Sequence, residues 1–541
     1  MTMSLRATKG QNNLGGSGVI MGSGIIPLIH VGSFQAAKDM PSTNGGGGSG
    51  NVWPSNGVAR WVEAISNGKL YMPFQFKWLT GLPLYGDGSA GTPPTTVFYD
   101  SGAVSLSTYT GYCIAQAASS VINEVMAYGE NYSGGRKGFA LLRLFDLSTA
   151  SGAGTYTYAT EVAAATACIN KVIARGWIPI VLTPVANLST SATQQASGQQ
   201  RYRQLYDWVM TLGDRFPGVV GVDASTPLHT QTPPWAYFYG TSATIPGPAD
   251  QITNTNATQA LQNPQLFQGS ANTYLYQESL DLLNAAGAVT QAKAIWEKLV
   301  TLGYVDETPP KPTPWVTDRS VWGPSQTGYG NPLLFGSAAV TANGGALAGV
   351  CATGWSVPAP TLTNAVSAGS GITPSIGRDV LGRNYMRADI NLNWPSGGST
   401  GSMGALGFTY SSPGLLTPDS PSQGTWFQGK ARIRIGEAMN NLSGLSFLVD
   451  SFGTLKPTSS FTQNTTTDYS YLTLLRGQEL LLRTTPHRWG SSTSAVANAM
   501  NRFVPTIGLR APAGALAVSG QLDLYELSVN YLDDFTEANY Y

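Results

Sequence analysis

Four prolines fall within the eight residues Glu307-Thr-Pro-Pro-Lys-Pro-Thr-Pro314. Each proline fixes its own φ and withholds a backbone donor, so this stretch can be neither helix interior nor central strand and reads as a stiff polyproline II spacer. The chain is patterned differently on its two sides, and any fold has to respect that break.

Before the spacer, short apolar runs alternate with segments of helical period. Ile25–Val31, Ala140–Phe145, Ile178–Leu182 and Val219–Val222 read as strands. Between them, Glu161–Arg175 carries Val162, Ala165, Ile169, Val172 and Ile173 on one helical face and stops at Gly176. Arg201–Leu212 and Ala288–Leu302 carry similar stripes, through Tyr202, Leu205 and Val209, and through Ala292, Ile295, Trp296 and Leu299. Strand and helix in alternation predict a parallel sheet covered on both faces. After the spacer, helical period nearly vanishes. Lys430–Ile435, Leu445–Val449, Tyr471–Leu475 and Leu522–Val529 alternate with glycine-rich turns, the pattern of an antiparallel β-sandwich. The expected organisation is an extended arm over 1–24, an α/β domain over 25–305, a proline-rich linker over 306–320 and an all-β jelly-roll sandwich over 321–541. A length of 541 residues suits several cores rather than one. The glycine tract Asn44–Gly50 reads as a loop, and neither solenoid repeats nor heptads are present.

Composition narrows the partners. Lys+Arg and Asp+Glu number 30 each, and charged residues make up 11% of the chain, so no net field draws it to nucleic acid or to an anionic membrane. Glycine (64), tyrosine (25) and tryptophan (13) give the low-charge, aromatic surface common in adhesion proteins. No apolar run is long enough to span a bilayer, and residues 1–13 lack the apolar core of a secretion signal, so neither export signal nor membrane insertion is expected. Cys113, Cys168 and Cys351 lie too far apart for a zinc motif or a disulfide framework and read as buried thiols. No cofactor or metal is expected.

Motifs then point to a family. Val172-Ile-Ala-Arg-Gly-Trp-Ile-Pro-Ile-Val-Leu-Thr-Pro184, Tyr202-Arg-Gln-Leu-Tyr-Asp-Trp-Val209 leading into Val219-Val-Gly-Val-Asp223, and Leu282-Leu-Asn-Ala-Ala-Gly-Ala288 occur in the order and spacing of the SGNH (GDSL-type) hydrolases, which residues from about 20 to 305 resemble. The resemblance implies a flavodoxin-like α/β fold and four catalytic blocks. The nucleophile block corresponds to His30-Val-Gly-Ser-Phe-Gln35. Without a gap, Ser33 replaces the aspartate and Phe34 the nucleophile, whereas a one-residue deletion makes Ser33 the nucleophile. The second block's glycine matches Gly81 or Gly86. The third block falls on Arg143-Leu-Phe-Asp146, which puts Phe145 where the family has its oxyanion-hole asparagine and keeps Asp146. A phenyl ring donates no hydrogen bond to an oxyanion, and loss of such a donor costs roughly 10²–10³ in rate. The fourth block maps onto Ser279-Leu-Asp-Leu282, without the catalytic histidine or its carboxylate. The resemblance therefore implies a pseudo-hydrolase with no catalytic residues. The alternative is an active carbohydrate esterase using Ser33, with His229 as a relocated base and Asp146 as a retained carboxylate; loop and capping roles are the plainer reading of His229 and Asp146.

Beyond the spacer, Asn331-Pro-Leu-Leu-Phe-Gly-Ser337, Ala352-Thr-Gly-Trp-Ser356, Trp426–Ile435 and Leu522–Leu527 are similar to strands of carbohydrate-binding-module-like jelly rolls. That resemblance implies sugar stacking on exposed rings, with Trp394, Trp426, Trp489 and Tyr410 as candidates and core or interface roles as the competing reading for each; Trp355 is assigned to the core. Assembly of several copies through this sandwich is an equal alternative. Together these features suggest a phage virion surface protein, a fibre, spike or decoration protein assembled in the host cytoplasm. It would dock on other virion proteins through residues 1–24, form a homo-oligomer, and meet a host surface glycan.

Overall fold

The computed structural model describes residues 26–32, 58–71, 130, 136–145, 158–184, 203–227, 285–308, 337–339, 349–352, 355–356, 367, 370–394, 406–410, 415–416, 426–440, 442, 444–451, 458–462, 474–484, 487–488, 502–510 and 516–532. The chain divides into two compact units, Met1–Glu63 with Lys69–Glu307, and Ala64–Gly68 with Thr308–Tyr541.

The first unit contains β1 (Ile26–Gly32), α1 (Val58–Ile65), β2 (Leu70–Tyr71), β3 (Phe139–Arg143), α2 (Tyr158–Ala174), β4 (Ile178–Leu182), α3 (203–210), β5 (Val220–Val222) and α4 (Ala285–Thr301). All strands are parallel, in the order β2-β1-β3-β4-β5. This is the flavodoxin-like doubly wound order. Every residue of β3 and β4 is buried, as continuous apolar runs covered on both faces require. On one face Arg143 meets Gln291 of α4, and Phe139 packs edge-on against Tyr304 just beyond that helix, at 5.5 Å. On the other, α3 lies so close to β5 that a Cβ on Gly221 would run into the Val209 carbonyl.

The helix expected over 201–212 ends instead at residue 210. The Thr211 hydroxyl donates to the Asp207 carbonyl at 2.8 Å, a back-bond that bends helices, and one further helical turn follows at Leu212–Arg215. Cys168 is buried and unpaired, and burial pushes its thiol up to about 12. Cys113 lies outside the described residues, and Cys351 lies on the backbone of a strand of the second unit.

The second unit is all β. Its strands are β6 (Ser337–Ala339), β7 (Val350–Ala352), β8 (Trp355–Ser356), β9 (Gly371–Arg378), β10 (Asn384–Asn393), β11 (Leu406–Tyr410), β12 (Leu415–Leu416), β13 (Trp426–Ile435), β14 (Gly444–Ser451), β15 (Thr458–Thr462), β16 (Glu479–Arg483), β17 (His487–Arg488), β18 (Arg502–Arg510) and β19 (Ala517–Leu532). They form two antiparallel sheets, β16-β13-β19-β10-β9 with β17 beside β13, and β15-β14-β18-β11-β8 with β12 beside β18; β6 and β7 pair separately.

Alternation along β10 is strict. Met386, Ala388, Ile390 and Leu392 are buried, and the residues between them are not. A register shift between Arg432 and Ile433 leaves Tyr525 of β19 without an opposite number, so Glu526 faces Arg432 while Leu524 faces Ile433. Around this bulge the polar face is knitted by charge. Arg383 forks onto Glu479 at 2.9 and 2.7 Å and also meets Asp379 at 2.8 Å. Arg387 forks onto Asp523 at 2.6 and 2.8 Å, and Arg432 meets Glu526 at 3.1 Å. The Arg383 guanidinium also lies 4.4 Å from the centre of the buried Tyr525 ring. At the β9–β10 turn, the Asp379 carboxylate accepts the backbone N–H groups of Leu381 and Arg383, at 2.9 and 2.8 Å. Burial alone would raise the Asp379 pKa, but the hydrogen bonds and charge from Arg383 hold it below its ordinary value.

Because the helix backbone itself occupies the space over Gly221, substitution to alanine has no side chain to push aside. Gly221→Ala is expected to destabilise the α/β unit by about 1–3 kcal/mol, read as a lowered urea midpoint with unchanged m-value.

Candidate functional site

In an open parallel sheet, ligands bind beyond the carboxyl ends of the strands, where the winding reverses. Here that point lies between β1 and β3. At the opposite edge the helix-to-strand returns are short, occupying only 66–69, 175–177 and 216–219.

At the carboxyl edge Gly32 of β1 is paired directly with Arg143 of β3. Arg143 is buried, and its Nη1 donates a long 3.4 Å contact to Gln291 Oε1; Gln291 Nε2 in turn donates to the Ala224 carbonyl at 3.0 Å. Beyond β4 and β5, Thr183 Oγ1 accepts the Ala224 N–H at 2.9 Å, shares a hydrogen bond with Ser225 Oγ at 2.9 Å, and Ser225 Oγ donates to the Pro184 carbonyl. Asp223 closes the set. Its Oδ1 accepts the N–H groups of Ser225 and Thr226 at 3.1 and 2.8 Å, and its Oδ2 accepts from the Tyr206 hydroxyl at 2.8 Å. With its acceptor bonds spent in this way, Asp223 acts as a cap for the turn after β5. Tyr206 is pushed up to about 12, by burial first and then by its bond to Asp223.

Phe145, just past β3, is 1% exposed and packs edge-on against Trp208 with ring centroids 5.7 Å apart. The position that the hydrolase resemblance assigns to an oxyanion donor is thus part of the apolar packing beneath the edge. His30, in β1 opposite Leu141, is 2% exposed, and its Nε2 has no hydrogen-bond partner among the described residues. Burial, and secondarily the nearby Arg143 charge, push its pKa down to about 3. His30 is therefore neutral near pH 7 and does not exchange protons there.

Ser33, Phe34, Asp146, His229 and Leu282 lie outside the described residues. Ser33 directly follows the end of β1 and Asp146 directly follows Phe145, so both segments leave the sheet at this edge. In the sandwich, Trp394 is only 4% exposed just past β10, and its backbone N–H donates to the Leu516 carbonyl at 2.8 Å. That burial favours the core role for Trp394 over sugar stacking. The backbones of Trp426 and Tyr410 lie on β13 and β11, where Trp426 pairs with Arg488 and Leu532 and Tyr410 pairs with Trp355; Trp489 lies outside the described residues.

Sequence reasoning passed over the linked pair Arg143 and Gln291, and His30 beside them. The available signal was a charged or imidazole side chain inside an apolar strand, as in Ala140-Leu-Leu-Arg143 and Pro27-Leu-Ile-His30. Among the described residues, no three His, Cys, Asp or Glu side chains cluster as a metal site, and no helix is long and apolar enough to cross a membrane.

His30 binds its proton far less readily in the folded chain than in the unfolded one. Its linkage leaves stability intact above about pH 6.5 and erodes it as pH falls toward 3. Urea titrations at pH 7 and pH 4.5 are expected to show this loss reduced by about 2–3 kcal/mol in His30→Leu.

No family model matches the chain, and no curated protein matches it. Among solved structures, it is similar at a TM-score of 0.20 to the arabinose-bound MgGH51 α-L-arabinofuranosidase, with 12% identity over 35% of this chain and 24% of that one. The chain thus spans about a quarter of that enzyme. It is also similar, at a TM-score of 0.17, to the CBM22-1 xylan-binding domain of Paenibacillus barcinonensis Xyn10C, with 9% identity over 34% of this chain and 87% of that domain. Likenesses this slight assign the chain to neither family, and its architecture rests on its own topology: a five-stranded parallel α/β sheet and an antiparallel β-sandwich.

Proposed function

We propose that this chain is a phage virion surface protein, a fibre, spike or decoration protein, whose α/β unit is a non-catalytic scaffold and whose β-sandwich binds a host surface glycan. Residues 1–24 would dock it on other virion proteins, several copies would assemble together, and synthesis would take place in the host cytoplasm. The observation that carries the scaffold reading is Phe145. A ring held at 1% exposure against Trp208, where a hydrolase of this topology needs a polar donor, supports packing over chemistry. His30 supports the same reading, since burial lowers its proton affinity until it is too weak a base to activate a hydroxyl at physiological pH. Charge balance and an aromatic-rich composition support a neutral, sugar-like partner over nucleic acid or membrane.

A second reading, an esterase acting on host surface polysaccharide with Ser33, His229 and Asp146, draws on one specific observation. β1 ends at Gly32 on the winding-reversal edge, where such sheets bind ligands, and Ser33 is the next residue in the sequence.

Labelling the purified full-length protein with a fluorophosphonate, mapped by mass spectrometry beside Ser33→Ala, separates the two readings. The scaffold reading expects no label on folded protein. Stoichiometric label on Ser33 that the alanine variant abolishes would instead establish the esterase.

A further inference from the structure

We propose that the outer face of the β9–β10–β19 part of the sandwich is the glycan site itself, and that it takes a neutral, extended polyhydroxylated chain lying along β10. The inference rests on the glycan-binding reading above and gives it a location away from the tryptophans singled out in the sequence. Alternation sends Tyr385, Arg387, Asp389 and Asn391 to one side of β10, and register sets Asp523 opposite Arg387 and Gln521 opposite Asp389. At about 3.4 Å per residue, this row runs for about 20 Å. The same strand sends four buried apolar residues to its other side, and in the row Asn391 is exposed, Tyr385, Arg387, Asp389 and Gln521 are half-buried, and Asp523 lies buried beneath Arg387.

The chemistry of the row selects the occupant. Arg387 is neutralised by its fork onto Asp523, and Asp389 accepts a 2.8 Å bond from Gln521 Nε2, so no uncompensated cation awaits a phosphate or an acidic polymer. No aliphatic side chain stands among the six residues, which argues against a lipid or an apolar peptide. What remains is a line of amide, carboxylate and guanidinium groups already held in place by one another, the arrangement that recognises hydroxyl groups at low entropic cost. Asn391 is exposed; its Oδ1 accepts from Asn393 Nδ2 at 3.0 Å, and its own amide N–H groups have no partner among the described residues. At the other end Tyr385 is half-buried and lies across its cross-strand partner Gly377, where a Cβ would collide with the ring. The ring therefore lies along the sheet with the Arg387 guanidinium 4.9 Å from its centre, and it ends the polar row.

The test uses the full-length chain in affinity electrophoresis against soluble arabinoxylan, mixed-linkage β-glucan and galactomannan, with an acidic polysaccharide in parallel. At least one neutral polymer is expected to retard the wild type equally at low and high salt. Asn391→Ala and Gln521→Ala should each weaken that binding about tenfold, while Glu437→Gln, on an exposed residue outside the row, should not. Undiminished binding by both alanine variants would overturn this face and leave glycan binding by the sandwich standing. Binding of the acidic polymer alone, lost at high salt, would overturn the neutral class of ligand. A wild type that binds none of the polymers would overturn both this site and the glycan-binding reading.

Discussion

Burial of both faces of the five-stranded parallel sheet is the constraint from which most of the first unit follows. A strand such as Ile178-Pro-Ile-Val-Leu182 has no solvent side, so its sequence is apolar throughout and its neighbours are helices. Helix α3 approaches until only glycine fits at position 221. Polar side chains admitted to such a sheet are costly unless bonded; Gln291, Thr183 and Ser225 meet that condition through side-chain and carbonyl contacts at one edge, while Arg143 reaches Gln291 at 3.4 Å. His30 meets it differently, by giving up its charge.

The sandwich solves the opposite problem. Its strands bury apolar residues on one side, and the other side of the β16-β13-β19-β10-β9 sheet carries charged residues that are themselves largely buried, with Arg432, Asp523 and Glu526 at 3–4% exposure. They are spent on one another: Arg383, Arg387 and Arg432 each find a carboxylate across a strand boundary. Pairs this buried return little net stability for the desolvation they cost, but they hold register, because a one-residue slip would set Arg387 against Leu522 or Leu524 in place of Asp523. The bulge at Tyr525 belongs to the same device, since the extra residue brings Glu526 opposite Arg432 and lets Tyr525 fill the space beneath Arg383.

Much of this architecture was legible in the sequence. The period changes at the proline-rich spacer, and strands β1, β4 and β5 and helices α2 and α4 stand within a few residues of where hydrophobic period places them. The break at Thr211 was not legible, because a hydroxyl that back-bonds to its own helix leaves no mark in an apolar stripe. The β19 bulge was visible in principle as the spacing Leu522, Leu524, Leu527, Val529, which jumps by three where a regular strand steps by two. Of the candidate sites, Phe145 was legible as an apolar residue in a polar role and is indeed packed. For Trp394 the two roles weighed in the sequence stayed open there, because a tryptophan at a strand end reads alike whether it faces sugar or core; its 4% exposure favours the core role. The polar row on β10 escaped notice because amides and hydroxyls on a wet strand face are ordinary until register shows them lined up.

The short returns of the parallel sheet carry a consequence for descent. Returns of three or four residues at one edge are tied to the strand ladder and admit almost no change of length. In open α/β sheets generally, the segments beyond the strands' carboxyl ends can be lengthened, shortened or exchanged between lineages while the sheet beneath stays the same. Relatives of this chain should therefore diverge unevenly, their strands and short returns staying recognisable while one rim drifts past alignment. A protein built in this way can follow a changing environment on one side without ever renegotiating its core.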